Sequence, residues 1–310
     1  MRTENWLIEF FGRCRAHMFK IKKTIVSTQS RFQNILIADV DHFGKALFLD
    51  GVPQSAALDE HIYHETLIHP ALVANGRPKK VFLAGGGEGA VVRETLKHNS
   101  VEKVLMIDID DIMVDMARQH LYEWHQGAFD DPRVELKHED ARGYLATANE
   151  KFDCIIMDLT DPFEGSPSAG LFTLDFYNIV KSRLNEGGVF AAQAEHALMG
   201  EQYAHVSIIK TLKQVFKYVM PYYTMIYFYR VIWGFVLASD SPLPEIMTPA
   251  HVDATVGNLN AGLKFYDGET HTNLFSAPKY LRDDLNNPDF GMIISDSRLL
   301  NLPKPGSCNI

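Results

Sequence analysis

Between about residue 20 and residue 56 the chain alternates apolar and polar positions in short runs. "KTIVSTQS", "FQNILIADV" and "KALFLDG" are separated by "SR" and "DHFG", a pattern that predicts antiparallel hairpins. Over 59–74, "DEHIYHETLIHPALVA", the apolar positions change to helical spacing behind the acidic start Asp59–Glu60. From residue 79 the rhythm changes again. Short apolar strands "KVFLA", "KVLMIDID", "RVELKHED", "FDCIIMD" and "GGVFAAQ" alternate with helical stretches over "AVVRETLKH", about 110–121, "FTLDFYNIVKSRL" and "QYAHVSIIKTLKQVF". Strands alternating with helices of this length predict an α/β fold built on a doubly wound parallel sheet. "YVMPYYTMIYFY" and "VIWGFVLASD" then read as an antiparallel closing hairpin. The Pro- and Asn-rich tail 241–310 is expected to wrap the main unit. The division expected is a small N-terminal β-hairpin domain over 1–75 and a catalytic domain with its wrapping tail over 76–310.

Composition narrows the class. The 310 residues are 46% apolar and 22% charged, enough to bury a sizeable core. No apolar run approaches the ~20 residues of a membrane span, so no membrane partner is expected. The first residues carry Glu4 and Glu9 and no small-residue cleavage site, which argues against a signal peptide. Cys14, Cys154 and Cys308 have neither metal nor redox spacing. An odd, scattered set suits a reducing compartment, and a cytoplasmic location is expected. A net charge of −9 lacks the clustered Lys and Arg that phosphate binding requires, which excludes nucleic acid as the main partner.

Ligands of an open α/β sheet bind at the carboxyl ends of its strands. Gly85-Gly86-Gly87-Glu88-Gly89 follows the first strand of the sheet, and Asp108 and Asp110 follow the second. Asp140 follows the third, Asp158 and Asp161 the fourth, and Gln193 and Glu195 the fifth. The glycine turn lets a ligand approach the backbone, and an acid ending the second strand suits a ribose diol. This pair serves both NAD and S-adenosylmethionine sites, and Gly85-x-Gly87-x-x-Ala90 satisfies the loose dinucleotide spacing. Glu88 separates them. A pyrophosphate would lie beside it and be repelled, whereas a sulfonium or an amine would be attracted. In "DLTDP" the two acids Asp158 and Asp161 either form a simple Asp-Pro turn or hold and deprotonate a cationic amine. An alkylammonium with a pKa of about 10.4 is a free base in only roughly one molecule in a few thousand at pH 7, so alkylating it needs a base.

The blocks "FQNILI", "FGKALFLDGVPQ", "DEHIYHE", "GGGEGAVVRETLKH", "VEKVLMIDID", "DLTDP", "LFTLDFY" and "AAQAE" together resemble the polyamine aminopropyltransferases, the spermidine synthase family, over roughly residues 20–285. The resemblance implies a Rossmann-like, methyltransferase-type sheet. It also implies transfer of an aminopropyl group from the co-substrate decarboxylated S-adenosylmethionine to an amine, releasing 5′-methylthioadenosine, with no cofactor and no metal. Position by position, Gln33 and His64 would contact the nucleoside, with Gly85 and Gly87 in the turn beneath it. Asp108 would hold the ribose, Asp140 the adenine amino group with Ala141 beside it, and Glu88 the aminopropyl nitrogen. Asp158 would be the general base, Asp161 and Tyr63 would steer the acceptor amine, and Tyr229 and Gln193 would line the acceptor channel. Residues 159–172 resemble the family's flexible gate, and the family implies homodimers or homotetramers.

The chain departs from the family's pattern on the acceptor side. Ala57 and Leu58 replace a usual Glu-Arg, "IYFY" (226–229) replaces Ile-Pro-Thr-Tyr, and Glu195-His196 stand where smaller residues are common. Glu88, "DLTDP" and "EWHQGAFDDPR" resemble the branch acting on agmatine or triamines, including thermospermine synthases. The rival readings are an S-adenosylmethionine methyltransferase and a non-catalytic paralogue that binds polyamines.

Overall fold

The structure is a computed structural model that describes residues 5–11, 15–243, 248–300 and 302; Cys14 and Cys308 lie outside the described residues. Five strands form the first sheet in chain order: β1 (Asn5–Phe11), β2 (Arg15–Gln29), β3 (Asn34–Val40), β4 (Gly44–Leu49) and β5 (Val52–Ala56). All neighbours are antiparallel, as the alternation predicts. β1 falls before the strands anticipated from sequence. Its Trp6, Ile8 and Phe10 are exposed while Glu9 is buried, which inverts the usual inside–outside code and hides the strand from a pattern reading.

Helix α1 (Glu60–Asn75) follows, buried along nearly its whole length. It packs against the second sheet and not the first, so the packing break lies between β5 and α1 and not after residue 75. The larger unit then runs β6 (Lys80–Gly85), α2 (Ala90–Leu96), β7 (Lys103–Ile107), α3 (Asp111–His120), α4 (Tyr122–His125), β8 (Val134–Lys137), α5 (Ala141–Thr147), β9 (Phe152–Asp158), α6 (Leu174–Ser182), β10 (Leu184–His196), α7 (Tyr203–Leu212), β11 (Tyr218–Ile226) and β12 (Val231–Ser239). Its seven strands lie in the order β11-β12-β10-β9-β6-β7-β8. Five of them, β10 through β8, are parallel, and only β12 runs against its neighbours. Phe82, Leu105, Ile155 and Phe190 pack on one face, and Leu83, Met106, Ile156 and Ala191 on the other. Burial of both faces is why these strands read as unbroken apolar runs. Strand order reverses between β6 and β9, so a crevice opens above their carboxyl ends. The short α4 and α5 give too few turns for a helical period and were not anticipated.

The tail wraps the larger unit, as expected. It carries α8 (Pro249–Val256), α9 (Gly268–Leu274) and α10 (Lys279–Asn286). The buried Glu65 carboxylate accepts the backbone N–H groups of Lys264, Phe265 and Tyr266 at 2.8–2.9 Å and anchors the start of the wrap. At its far end Leu302 bridges Phe163 and accepts the Glu164 N–H at 3.0 Å. Among the described residues no helix is long and apolar enough to cross a membrane.

Candidate active site

A cavity of about 960 Å³ opens above the carboxyl ends of β6, β7 and β9 and is roofed by the first sheet. Its floor is the glycine turn. Gly85 (φ +79°) and Gly86 (φ +81°) are left-handed, and a Cβ on Gly85 would stand 2.2 Å from the Asp158 carbonyl oxygen. That closeness is used, because the Gly86 N–H donates to the same carbonyl at 3.0 Å and ties the turn to the tip of β9. A Cβ on Gly87 would fall 2.9 Å from the Asp108 Oδ2. The glycines therefore admit the site's own carboxylates as well as any ligand. Gly85→Ala is expected to cost at least about 1–3 kcal/mol from backbone strain alone. Gly187→Ala, with a similar φ of +74° and open space around its Cβ, isolates that strain. Thermal unfolding of the two variants checks the contrast, and equal losses would remove the role assigned to the contact.

Asp108 and Asp110 divide their work. Asp110 caps α3, accepting the Met113 N–H at 3.1 Å, and its other oxygen accepts from Ser30 Oγ at 2.7 Å and Gln33 Nε2 at 2.8 Å. Asp108 accepts only the Asp110 N–H, at 2.9 Å through Oδ1. Burial, helped by the Asp110 charge, lifts the Asp108 carboxyl to about 6. Asp140 lines the far wall with Ala141, its two oxygens each 3.0 Å from an α5 backbone N–H, those of Arg142 and Gly143.

Glu88 is held from two sides. Ser55 Oγ, from β5, donates to Oε2 at 2.7 Å, and His64 Nε2 lies 2.7 Å from Oε1. Trp124 Nε1 in turn donates to Ser55 at 3.0 Å. His64 is buried, and its Nδ1 lies 2.9 Å from Glu60. Burial alone would lower the imidazole, but the two flanking carboxylates raise it to about 10, so the ring is a cation that clamps Glu88. His64 does not line the cavity. The expected nucleoside contact is therefore corrected, because both ring nitrogens are taken by carboxylates behind the wall.

Asp158 ends β9 and faces the cavity. Tyr63 Oη, from α1, donates to its Oδ1 at 2.8 Å, and no hydrogen bond engages Oδ2 among the described residues. Burial lifts the carboxyl to about 6, with the Glu88 charge adding and the His64 cation opposing. Asp161 is lifted to about 6 by burial and pairs with Glu195, whose own carboxyl burial drives far above its usual range, with the Asp161 charge adding. The pair thus shares a proton carried on Glu195. Tyr229 lines the same wall, and its hydroxyl donates to the Gln54 carbonyl. Gln193 does not line the cavity. Its amide donates to the Leu159 carbonyl at 3.0 Å and its Oε1 accepts the Glu195 N–H at 2.9 Å, so it pins the start of segment 159–172 from behind. The channel-lining role expected for it is corrected. That segment itself forms one wall of the cavity.

Sequence reasoning passed over Ser55, Glu9 and the partnership of Glu195. Ser55 and Glu9 come from the first sheet, and no spacing in the larger unit points to them. Glu195 was noticed only as a departure; its signal is an acid two residues beyond the end of an apolar strand.

Residues 60–248 match the spermine/spermidine synthase domain, and residues 5–56 match the spermidine synthase tetramerisation domain. Polyamine aminopropyltransferase 2 of Hyperthermus butylicus is 44% identical over 86% of this chain and 88% of its own. The polyamine aminopropyltransferase of Sulfurisphaera tokodaii is 40% identical over 91% and 93%. Among solved structures, a spermidine synthase in complex with the transition-state analogue AdoDATO superposes with a TM-score of 0.86 at 31% identity, covering 92% of this chain and 96% of the other. Spermidine synthase from Thermotoga maritima gives 0.84 at 32%, covering 92% and 95%.

Proposed function

The chain belongs to the spermine/spermidine synthase family, the aminopropyltransferases of polyamine biosynthesis, and from that premise we propose that it moves the aminopropyl group of decarboxylated S-adenosylmethionine to a polyamine-type acceptor. The observation that carries this reading is Asp158. A cavity-facing carboxylate lifted toward neutrality, one oxygen held by Tyr63 and the other unengaged, stands over a turn whose next acid is the clamped Glu88.

In this reading the ribose diol of the donor donates to Asp108, whose Oδ2 has no other partner among the described residues. Asp140 and Ala141 receive the adenine, and Gln33, fixed by Asp110, closes the nucleoside end. Glu88 holds the ammonium of the aminopropyl arm. An acceptor nitrogen enters along Asp161, Tyr229 and Tyr63 and gives a proton to Asp158 Oδ2. Its lone pair then forms a bond to the methylene next to sulfur, the carbon–sulfur bond breaks, and its electron pair stays on sulfur as neutral 5′-methylthioadenosine. The sulfonium is its own leaving group, so the chain supplies position, a base and a site shielded from water.

Two further points complete the proposal. The tetramerisation-domain match over the first sheet and the exposed row Trp6, Ile8 and Phe10 on β1 support an oligomer built on that sheet, a dimer or a tetramer. The scattered cysteines favour a cytoplasmic location.

Incubating the full chain with decarboxylated S-adenosylmethionine and putrescine, agmatine, cadaverine, spermidine or norspermidine tests the reaction. Mass spectrometry is expected to find an amine heavier by one aminopropyl unit together with 5′-methylthioadenosine. Methyl transfer from S-adenosylmethionine would support the methyltransferase instead, and amine binding without any product would support a non-catalytic binding protein. Either outcome overturns the proposal.

A further inference from the structure

The acidic wall does not end at Asp161. Beyond it stand Glu195, at a bulge of β10 where the pairing with β12 shifts register, and Glu9, which enters from β1 of the other sheet. Both line the cavity and both are more than nine-tenths buried. Charge coupling orders the acids along the cavity. Asp108 feels Asp158, Asp158 feels Glu88, Asp161 pairs with Glu195, and Glu9 feels Asp161. The reacting end and Glu9 are therefore opposite ends of one row.

One buried atom in this row lacks a partner. Glu195 Oε1 makes no hydrogen bond among the described residues, although the side chain is buried and faces the cavity. An unpaired buried acceptor of this kind is costly unless a ligand completes it. The positive groups nearby do not fill the place. Arg15 is bridged to Glu201, His17 Nδ1 lies 3.3 Å from Glu9, and the Arg230 guanidinium lies over the Phe19 ring. His196 is a neighbour lowered to about 4 by burial, with the Arg15 charge adding, and is neutral at pH 7. Burial, with the Asp161 charge adding, lifts Glu9 to about 7, so a cation arriving beside it would drive it to the charged form.

A polyamine meets conflicting demands in such a row. Its reacting nitrogen must be neutral beside Asp158, while its other nitrogens keep their protons and need carboxylates. The Asp161–Glu195 pair, sharing one proton, carries a single negative charge and balances one ammonium. Glu9 lies further out and would balance another. We propose that Glu195 and Glu9 form a distal subsite for the non-reacting ammonium groups of the acceptor, which makes the chain selective for linear polyamines of three or more nitrogens over diamines. This rests on the aminopropyltransferase reading above and names its acceptor class.

The test compares spermidine with putrescine as acceptors for the wild type, Glu9→Gln and Glu195→Gln. Calorimetry of spermidine binding to the protein loaded with 5′-methylthioadenosine accompanies it. Wild type is expected to prefer spermidine, and each substitution should lower the spermidine-to-putrescine ratio of kcat/KM about tenfold or more, chiefly through KM. Spermidine affinity should fall by a similar factor. An unchanged ratio and unchanged affinity in both variants overturn the subsite while leaving aminopropyl transfer standing. If the wild type transfers nothing yet its spermidine binding is lost in the variants, the reaction is overturned and the subsite is upheld.

Discussion

Asp158→Asn lowers aminopropyl transfer by about 10²–10⁴-fold, the span a positioned general base contributes. The amide keeps the shape and can still accept the Tyr63 hydroxyl bond, but it cannot take the proton of an alkylammonium. Binding of 5′-methylthioadenosine is expected to persist, because Asp108 and Asp140 lie on other strands and keep their backbone partners. Steady-state kinetics and calorimetry on one preparation separate these two effects. Near wild-type turnover would remove Asp158 from the role of base.

The pH profile gives an independent check. The Asp158 carboxyl is raised to about 6 by burial, and the base works only when deprotonated. The wild-type rate is therefore expected to fall as the pH drops through about 6, approaching tenfold per unit below it. Asp161 titrates in the same region and is tied to Glu195, so the acid limb belongs to the cluster and not to one group. In Asp158→Asn the residual rate should lose the Asp158 part of that limb.

Arg93→Met lowers the folding stability by about 3–5 kcal/mol, the cost of leaving buried charges without a partner. The Arg93 guanidinium donates to both oxygens of Glu60 at 2.9 and 3.2 Å, to Glu94 at 2.8 Å and to the Trp124 carbonyl at 2.6 Å. Glu60 continues to His64 and so to Glu88, while Glu94 continues to His69 Nε2 at 2.9 Å. One cation thus supports a buried chain that starts behind the cavity wall. Urea unfolding at pH 7 measures the loss, and Arg93→Lys, which keeps the charge without the planar fork, should lose less. A loss under about 1 kcal/mol would rank the network with exposed ion pairs.

The same network has a pH window. Burial would raise Glu60, but His64 and Arg93 bring it down to about 2, below its ordinary 4.5. Its contribution is complete above 4.5 and is lost as pH falls through about 2. His64, raised from 6.5 to about 10, contributes fully below 6.5 and loses that contribution as pH rises through about 10. The two are both complete between about 4.5 and 6.5.

Much of the frame was legible along the chain. Runs such as "FDCIIMD" are apolar at every position because the parallel strands are buried on both faces, and the helices betray themselves by one periodic stripe. Glycine and acid at successive strand ends marked the crevice, since ligands of such sheets meet the carboxyl ends. Periodicity reports which face of an element is covered, not what covers it. So β1 escaped notice with its apolar row turned outward, and α1, amphipathic in sequence terms, was assigned to the wrong unit because its partner sheet lay further along the chain.

The residue types and their strand-end positions were determined by the sequence alone: Gly85, Gly87, Glu88, Asp108, Asp158 and Asp161 all line the cavity. Only the tertiary structure decided their states and partners. It placed His64 and Gln193 behind the wall, set Ser55 against Glu88, joined Asp161 to Glu195, and brought Glu9 from β1 to the far end of the row. Carboxyl groups at strand ends take their charge from burial and from neighbours tens to more than a hundred residues away, and no local spacing encodes either.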